Sequence, residues 1–334
     1  MKIAIVTDAW TPQVNGVVTT LSRTSETLRE FGHDVRVVHP GEFRTFPCPT
    51  YPEIQLAFRP SHGVARQLDA MQPDRIHIAT EGPLGIAARR YCVRRGLRFT
   101  TSYHTQFPQY LRARLPIPLG VSYRFLRWFH GAAARTMVAT ARQQEELVRW
   151  GFGNLATWTR GVDTHLFKPG DRASLPDPRP VWIYTGRVAV EKSIENFLAL
   201  DIPGTKYVVG DGPERRRLER QYPAVKFTGY RFGAELARLM GAADVFVFPS
   251  RTDTFGVVML EAMACGLPVA AYPVTGPADV VHHGVTGFLH EDLSHAAMNA
   301  LNLDRASCRL AAVACSWEKA TEQFLNNTVS ATIS

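Results

Sequence analysis

The sequence predicts an α/β protein of two doubly wound domains, each a parallel sheet with helices on both faces. Three observations carry that reading. Short apolar runs rich in Val and Ile alternate with longer stretches at helical spacing. The alternation stops at Phe167-Lys168-Pro169-Gly170 and the Pro-rich run 175–180, then restarts. The chain has 334 residues, enough for two domains of roughly 150 residues each. Alternation of this kind is the mark of βαβ units, whose strands are buried on both faces and so read as unbroken apolar runs.

The elements follow in order. Residues 3–7 (Ile-Ala-Ile-Val-Thr) form the first strand, and the polar loop Thr11-Pro12-Gln13-Val14-Asn15-Gly16 leads into a helix running to about Glu30. Gly32-His33 stops that helix before a strand at 35–38. Strand 75–78 precedes a helix at 83–95, strand 99–103 precedes a loop at 104–110, and strand 136–140 runs into a helix at 141–150. Beyond the Pro-rich run, strands are expected at 181–185, 206–209, 225–228, 245–248 and 269–272, with helical segments between them.

Composition narrows the class. With 45% hydrophobic and 20% charged residues and a mean hydropathy of −0.12, the chain is neither disordered nor collagen-like. The apolar run at its start is shorter than the roughly 7–15 residues of a secretory signal, and Asp8 interrupts it. No window nears the roughly 20 apolar residues of a membrane span. The five cysteines are odd in number and unclustered, which suggests reduced thiols in a cytoplasmic, metal-free protein. The net charge of +8 is uneven. Residues 1–160 hold 21 Lys+Arg against 11 Asp+Glu, whereas the rest holds 17 against 19. A basic first half points to an anionic partner: a membrane surface, an anionic substrate or a nucleic acid. No RRM, KH, zinc-finger or helix-turn-helix pattern supports the last, so no nucleic acid is expected.

Two segments carry chemistry. In Tyr184-Thr185-Gly186-Arg187-Val188-Ala189-Val190-Glu191-Lys192-Ser193 a strand ends, Gly186 permits a tight turn, and two cations flank the expected start of a helix. Helix N–H groups with Arg and Lys beside them suit an anion, most naturally a diphosphate. The plain alternative is surface charge beside a turn. In Asp253-Thr254-Phe255-Gly256-Val257-Val258-Met259-Leu260-Glu261 two carboxylates bracket seven residues. A helix from Phe255 onward puts Asp253 beside its free N–H groups and Glu261 on an otherwise apolar helix. A carboxylate there needs hydrogen-bond donors, and ribose hydroxyls would serve. The plain alternative is a capping Asp and an exposed Glu.

In family order, Thr11-Pro12-Gln13-Val14-Asn15-Gly16, Ser102-Tyr103-His104-Thr105, Gly186-Arg187 with Lys192, Gly210-Asp211-Gly212-Pro213, Thr228-Gly229-Tyr230, and Asp253 with Glu261-Ala262-Met263-Ala264-Cys265-Gly266-Leu267-Pro268 resemble the retaining GT-B glycosyltransferases of family 4. Arg160-Gly161-Val162-Asp163 resembles that family's interdomain segment and Ser316-Trp317-Glu318 its C-terminal helix, so the resemblance spans essentially the whole chain. It implies two Rossmann-like domains facing across a cleft. Residues 1–164 would bind the acceptor, with a helix at about 317–334 packing back on them, and residues 165–316 would bind the nucleotide sugar. One departure stands out: the family usually has Glu where this chain has Asp253.

The resemblance also implies roles. Arg187 and Lys192 would hold and neutralise the donor diphosphate, and Gly186 would shape their turn. Glu261 would accept hydrogen bonds from the ribose, and the backbone near Tyr230 would meet the base. Asp253 with the N–H groups of Thr254, Phe255 and Gly256 would grip the transferred sugar. Asn15 and Gly16 belong to the family's glycine loop, where Gly16 would let the backbone approach the diphosphate. His104 would hydrogen-bond the donor sugar near the reacting carbon. A nucleotide-diphosphate sugar, UDP- or GDP-linked, is then the substrate, and neither cofactor nor metal is expected.

The acceptor reading rests on composition. Arg112, Arg114, Arg124, Arg127 and Trp128 lie in a stretch mixing arginines with aromatics, as interfacial membrane segments do. The residues around His104 resemble the lipid-glycosylating branch. The expectation is a lipid acceptor, with the enzyme peripheral at the inner face of the cell membrane. The alternatives are the same chemistry on a soluble or polysaccharide acceptor, and a non-catalytic sugar-nucleotide sensor.

Overall fold

The computed structural model describes residues 1–13, 15–48, 51–104, 108–109, 112 and 117–332, with 51–53 described by backbone alone. The chain divides into two compact units, Met1–Thr159 with Trp317–Ser334, and Arg160–Ser316.

The first unit holds a six-stranded parallel sheet in the order β2-β1-β5-β6-β7-β8. Its strands are β1 (Lys2–Val6), β2 (Asp34–Val38), β5 (Arg75–Ile78), β6 (Thr100–Tyr103), β7 (Arg135–Val138) and β8 (Leu155–Thr157). An antiparallel hairpin, β3 (Thr45–Cys48) with β4 (Tyr51–Ala57), stands apart from it. The helices are α1 (Gly16–Glu30), α2 (Ser61–Met71), α3 (Pro83–Arg94), α4 (Leu119–His130) and α5 (Ala141–Arg149). Strand β1 shows why the apolar run forms a central strand. Ala4 and Val6 join one core cluster while Ile3 and Ile5 join another, all fully buried, so each face of the sheet has its own core.

The second unit repeats the plan with the order β11-β10-β9-β12-β13-β14. Its strands are β9 (Val181–Thr185), β10 (Thr205–Val209), β11 (Lys226–Gly229), β12 (Val245–Phe248), β13 (Val269–Ala271) and β14 (Gly287–Leu289). Between them run α6 (Ile194–Leu198), α7 (Arg215–Gln221), α8 (Gly233–Ala242), α9 (Val257–Ala264), α10 (Pro277–Val280), α11 (Leu293–Ala300) and α12 (Arg305–Val313). Again Val181 and Ile183 face one core and Trp182 and Tyr184 the other. Each such buried side chain contributes about 1.5–3 kcal/mol. The strand order reverses between β9 and β12, and ligands of such sheets bind beyond the strand C-termini at that point.

Helix α13 (Trp317–Asn327) returns to the first unit. Arg75 Nη1 donates to the carbonyls of Leu325 and Thr328, both at 2.9 Å, and Phe324 is fully buried against Trp158 and His77.

Every strand expected from the sequence is present, its ends shifted by two residues at most, within the ordinary uncertainty of element boundaries. The hairpin β3–β4, helices α2 and α4, and the short strands β8 and β14 were not anticipated. One correction bears on the site. The helix expected from Phe255 starts at Val257, because Gly256 caps it in a left-handed conformation (φ +81°). No helix among the described residues is long and apolar enough to cross a membrane.

Candidate active site

At the C-terminal ends of β9 and β10 two glycine turns interlock. Gly186 N–H donates to the Val209 carbonyl (3.0 Å) and Val188 N–H to the Asp211 carbonyl (2.9 Å). A Cβ on Gly210 would lie 1.8 Å from the Gly186 carbonyl oxygen, so only glycine fits. Beneath them the Tyr184 hydroxyl donates to the Arg187 carbonyl (2.7 Å), and burial raises its pKa. The turn that presents Arg187 is therefore fixed from strand and neighbouring loop together.

The cations do not flank an α-helix start, as the spacing had suggested. Val190–Lys192 is a single 3-10 turn, and Ser193 is left-handed (φ +49°) before the five-residue α6. Arg187 lies 3.7 Å from Glu191, one turn on. Lys192 Nζ reaches across from β9 to the loop after β12 and donates to Asp253 Oδ1 at 2.5 Å. The second oxygen of that carboxylate, Oδ2, is buried without a hydrogen-bond partner among the described residues. Thr252 Oγ1 donates to the Glu191 carbonyl (3.2 Å), and a Cβ on Gly276 would meet the Asp253 carbonyl oxygen at 2.7 Å. The backbone around Asp253 is thus clamped from both sides.

Because α9 starts at Val257, Asp253 is not its N-cap. Thr254, Phe255 and Gly256 form the linking turn, with Thr254 buried and Phe255 packed on the core. Glu261 is the fifth residue of α9 and half-buried, and its charge adds to burial in pushing the Cys265 thiol up to about 12. Tyr230, after β11, lies close enough to feel the charges of Arg187 and Asp211, though burial is what mainly raises its pKa. Its ring stacks on Phe232 at 5.8 Å between centroids, and Phe232 is 60% exposed.

In the first unit, Asn15 caps α1, its Oδ1 accepting from the N–H groups of Val17 and Val18, both at 3.0 Å. Its side chain is thereby committed to the helix. A Cβ on Gly16 would meet nothing within 4 Å, so the backbone there is open to close approach. His104 follows β6, half-buried, with its ring edge-on to Trp158 at 5.6 Å. Strand β6 is polar inside the sheet, and a buried histidine supports it: His77 bridges Thr100 (2.9 Å) and Ser102 (2.7 Å).

Sequence reasoning treated Asp8 only as a break in an apolar run. It is a fully buried carboxylate accepting from Thr80 Oγ1 (2.8 Å) and from the N–H groups of Leu84 (2.9 Å) and Gly85 (3.3 Å) at the start of α3. Burial outweighs those hydrogen bonds and lifts its pKa to about 6. Its carbonyl accepts from Gln13 Nε2 (3.3 Å), which ties it to the loop leading to Asn15 and Gly16. An acid directly after a buried strand was the available signal.

Two family models cover most of the chain: Glycosyltransferase Family 4 over residues 14–166 and Glycosyl transferases group 1 over residues 179–303. A GDP-mannose-dependent alpha-mannosyltransferase of Mycobacterium tuberculosis is 31% identical over 315 residues, 86% of this chain and 83% of that protein. The chain belongs to the family 4 glycosyltransferases. Sulfoquinovosyl transferase SQD2 of Arabidopsis thaliana is 34% identical over 78% of this chain and 58% of its own length. Among solved structures, sucrose-phosphate synthase of Thermosynechococcus elongatus matches with a TM-score of 0.80 at 23% identity, covering 97% of both chains. Anabaena HepE in complex with UDP and glucose matches at 0.72 and 18%, covering 98% of both. These structures share the GT-B fold of two Rossmann-like domains. The glycosyltransferase is a retaining enzyme that takes a nucleotide-diphosphate sugar as donor.

Glycosyl transfer builds negative charge on the departing diphosphate, and fixed cations beside it stabilise that charge. Among the described residues no group of three or more His, Cys, Asp or Glu could hold a metal ion.

The arginines singled out for the acceptor divide. Arg114 lies outside the described residues. Arg112 is exposed beside a shallow hollow of 460 Å³ that it lines with Ile117, Pro118 and Leu119. Arg124, Arg127 and Trp128 share the outer face of α4 with Val121. Arg127 Nη1 donates to the Trp150 carbonyl (2.9 Å), and the Arg89 guanidinium covers the Trp128 ring at 3.9 Å. Two of these side chains thus have intramolecular work.

Proposed function

We propose that this glycosyltransferase moves a mannosyl group, or a related hexosyl group, from a GDP-linked donor to a hydroxyl of a soluble or polysaccharide acceptor. The placement of Arg187 and Lys192 in the segment after β9, with Lys192 reaching the loop after β12 across the switch point, supports the donor reading. Mannosyltransferases dependent on GDP-mannose from Mycobacterium tuberculosis and Corynebacterium glutamicum, 31% and 30% identical, support the base and the sugar.

In this reading the second unit binds the donor. Arg187 and Lys192 hold the diphosphate, Glu261 the ribose, and the backbone at Tyr230 the base. Asp253 and the turn Thr254-Phe255-Gly256 take the sugar. For the first unit, the family resemblance implies that His104 would serve the sugar and the backbone at Gly16 the diphosphate. The acceptor attacks the face the diphosphate is leaving, the leaving phosphate takes the acceptor proton, and the anomeric configuration is kept. No metal enters these steps.

A panel of nucleotide sugars, read by thermal stabilisation and slow donor hydrolysis, tests the donor assignment. GDP-mannose should stabilise the enzyme most and be turned over in excess chelator. Preference for another donor, or metal-reversible loss of turnover, would contradict it.

The outer face of α4 favours one second reading, a lipid acceptor at an anionic membrane. A basic side chain near an anionic leaflet contributes about 1 kcal/mol, and the attraction falls with salt. That reading predicts flotation with anionic vesicles at low ionic strength and release at high salt. Equal retention by neutral vesicles removes it.

A further inference from the structure

Lys192 and Asp253 come from different loops, and nothing in their chain order requires them to meet. They do so at 2.5 Å, with the side chains only 22% and 17% exposed. If Lys192 is the phosphate cation proposed above, and Asp253 the group for the transferred sugar, then one contact joins two functions. An ammonium beside a carboxylate offers a phosphate far less attraction than one without, and the carboxylate repels the phosphate directly. A carboxylate bound to an ammonium is likewise a weaker acceptor for a sugar hydroxyl.

We infer that Asp253 and the donor's phosphate compete for Lys192, so that nucleotide binding and the freeing of Asp253 for the sugar are one coupled event. The surroundings suit an exchange confined to side chains. Gly276 and the Thr252–Glu191 hydrogen bond hold the backbone in place, so the carboxylate changes partner by turning about its own bonds. The other oxygen, Oδ2, is already buried with no donor of its own among the described residues. A sugar hydroxyl would satisfy it.

The inference rests on the donor reading, and calorimetric titration of the full chain with GDP and with UDP separates the two. The tighter ligand is followed through Asp253→Asn, Asp253→Glu, Lys192→Ala and the double variant Lys192→Ala/Asp253→Asn. Competition predicts that Asp253→Asn binds the nucleoside diphosphate about tenfold tighter, inside the roughly 5- to 150-fold range of such couplings. The gain should fall to the small part due to direct repulsion in the Lys192→Ala background, and Asp253→Glu should return the affinity towards that of the parent. Asp253→Ser reads the same quantity if the amide does not fold. Unchanged or weaker binding in Asp253→Asn, with Lys192→Ala still weakening it, overturns the competition. Unchanged binding in Lys192→Ala overturns the phosphate assignment beneath it.

Discussion

Two charged residues show what can and cannot be read from type and spacing alone. Lys192 stood out because a cation five residues beyond Arg187 is of the type that suits a diphosphate, but its contact with Asp253, 61 positions away, was not visible in the sequence. Replacing Lys192 by Ala should lower turnover by about 10²–10³, the cost of one preorganised charge stabiliser. Steady-state kinetics beside a melting curve checks this, and near-normal turnover in a folded variant would count against it. Asp8 makes a prediction about stability. Its pKa in the folded chain is about 6, against 3.8 for an unperturbed carboxyl, so the folded state binds that proton more tightly than the unfolded state. The contribution of Asp8 is therefore most favourable below about pH 4, declines as pH rises through 6, and is level above. The span is roughly 3 kcal/mol. Urea denaturation of the parent and Asp8→Asn from pH 4.5 to 7.5 should show this decline in the parent only. Parallel curves would show that burial does not perturb Asp8 in this way.

Strands were legible wherever both faces are buried. Residues 181–185 and 245–248 match β9 and β12 to the residue, because continuous Val, Ile, Phe, Trp and Tyr leave little other reading. Helix α4 escaped notice because its arginines and aromatics are mixed along the chain and separate only around the helix, with Tyr123, Leu126 and Phe129 inward and Arg124, Arg127 and Trp128 outward. The start of α9 depended on the backbone of Gly256, which a residue pattern cannot show. Helix α13 makes the element-level prediction. Phe324 fills the space between Trp158 and His77, and Trp158 in turn meets the ring of His104. Phe324→Ala should cost about 3–5 kcal/mol of stability. Chemical denaturation measures it, and a loss below about 1 kcal/mol would mean that α13 does not complete that core.

At the scale of the whole molecule, the alternation of strands and helices was enough to give two doubly wound units, and the order of the motifs was enough to give the family. The second half offered more to read because glycine turns, nearby cations and spaced carboxylates are residue types that phosphate and ribose chemistry favours. The first half offered less. Its basic charge is real, but arginines such as Arg89 and Arg127 turn out to hold backbone carbonyls of their own unit, work that composition cannot distinguish from binding. This enzyme is expected to cleave a nucleotide-diphosphate sugar with retention, using the cations after β9. Proton NMR of the first sugar released from GDP-mannose, with water or acceptor as nucleophile, tests it most directly. An α-configured product is expected at early times, with its near disappearance in Lys192→Ala; a β-configured first product, or undiminished release by the variant, would rule out retention assisted by these cations.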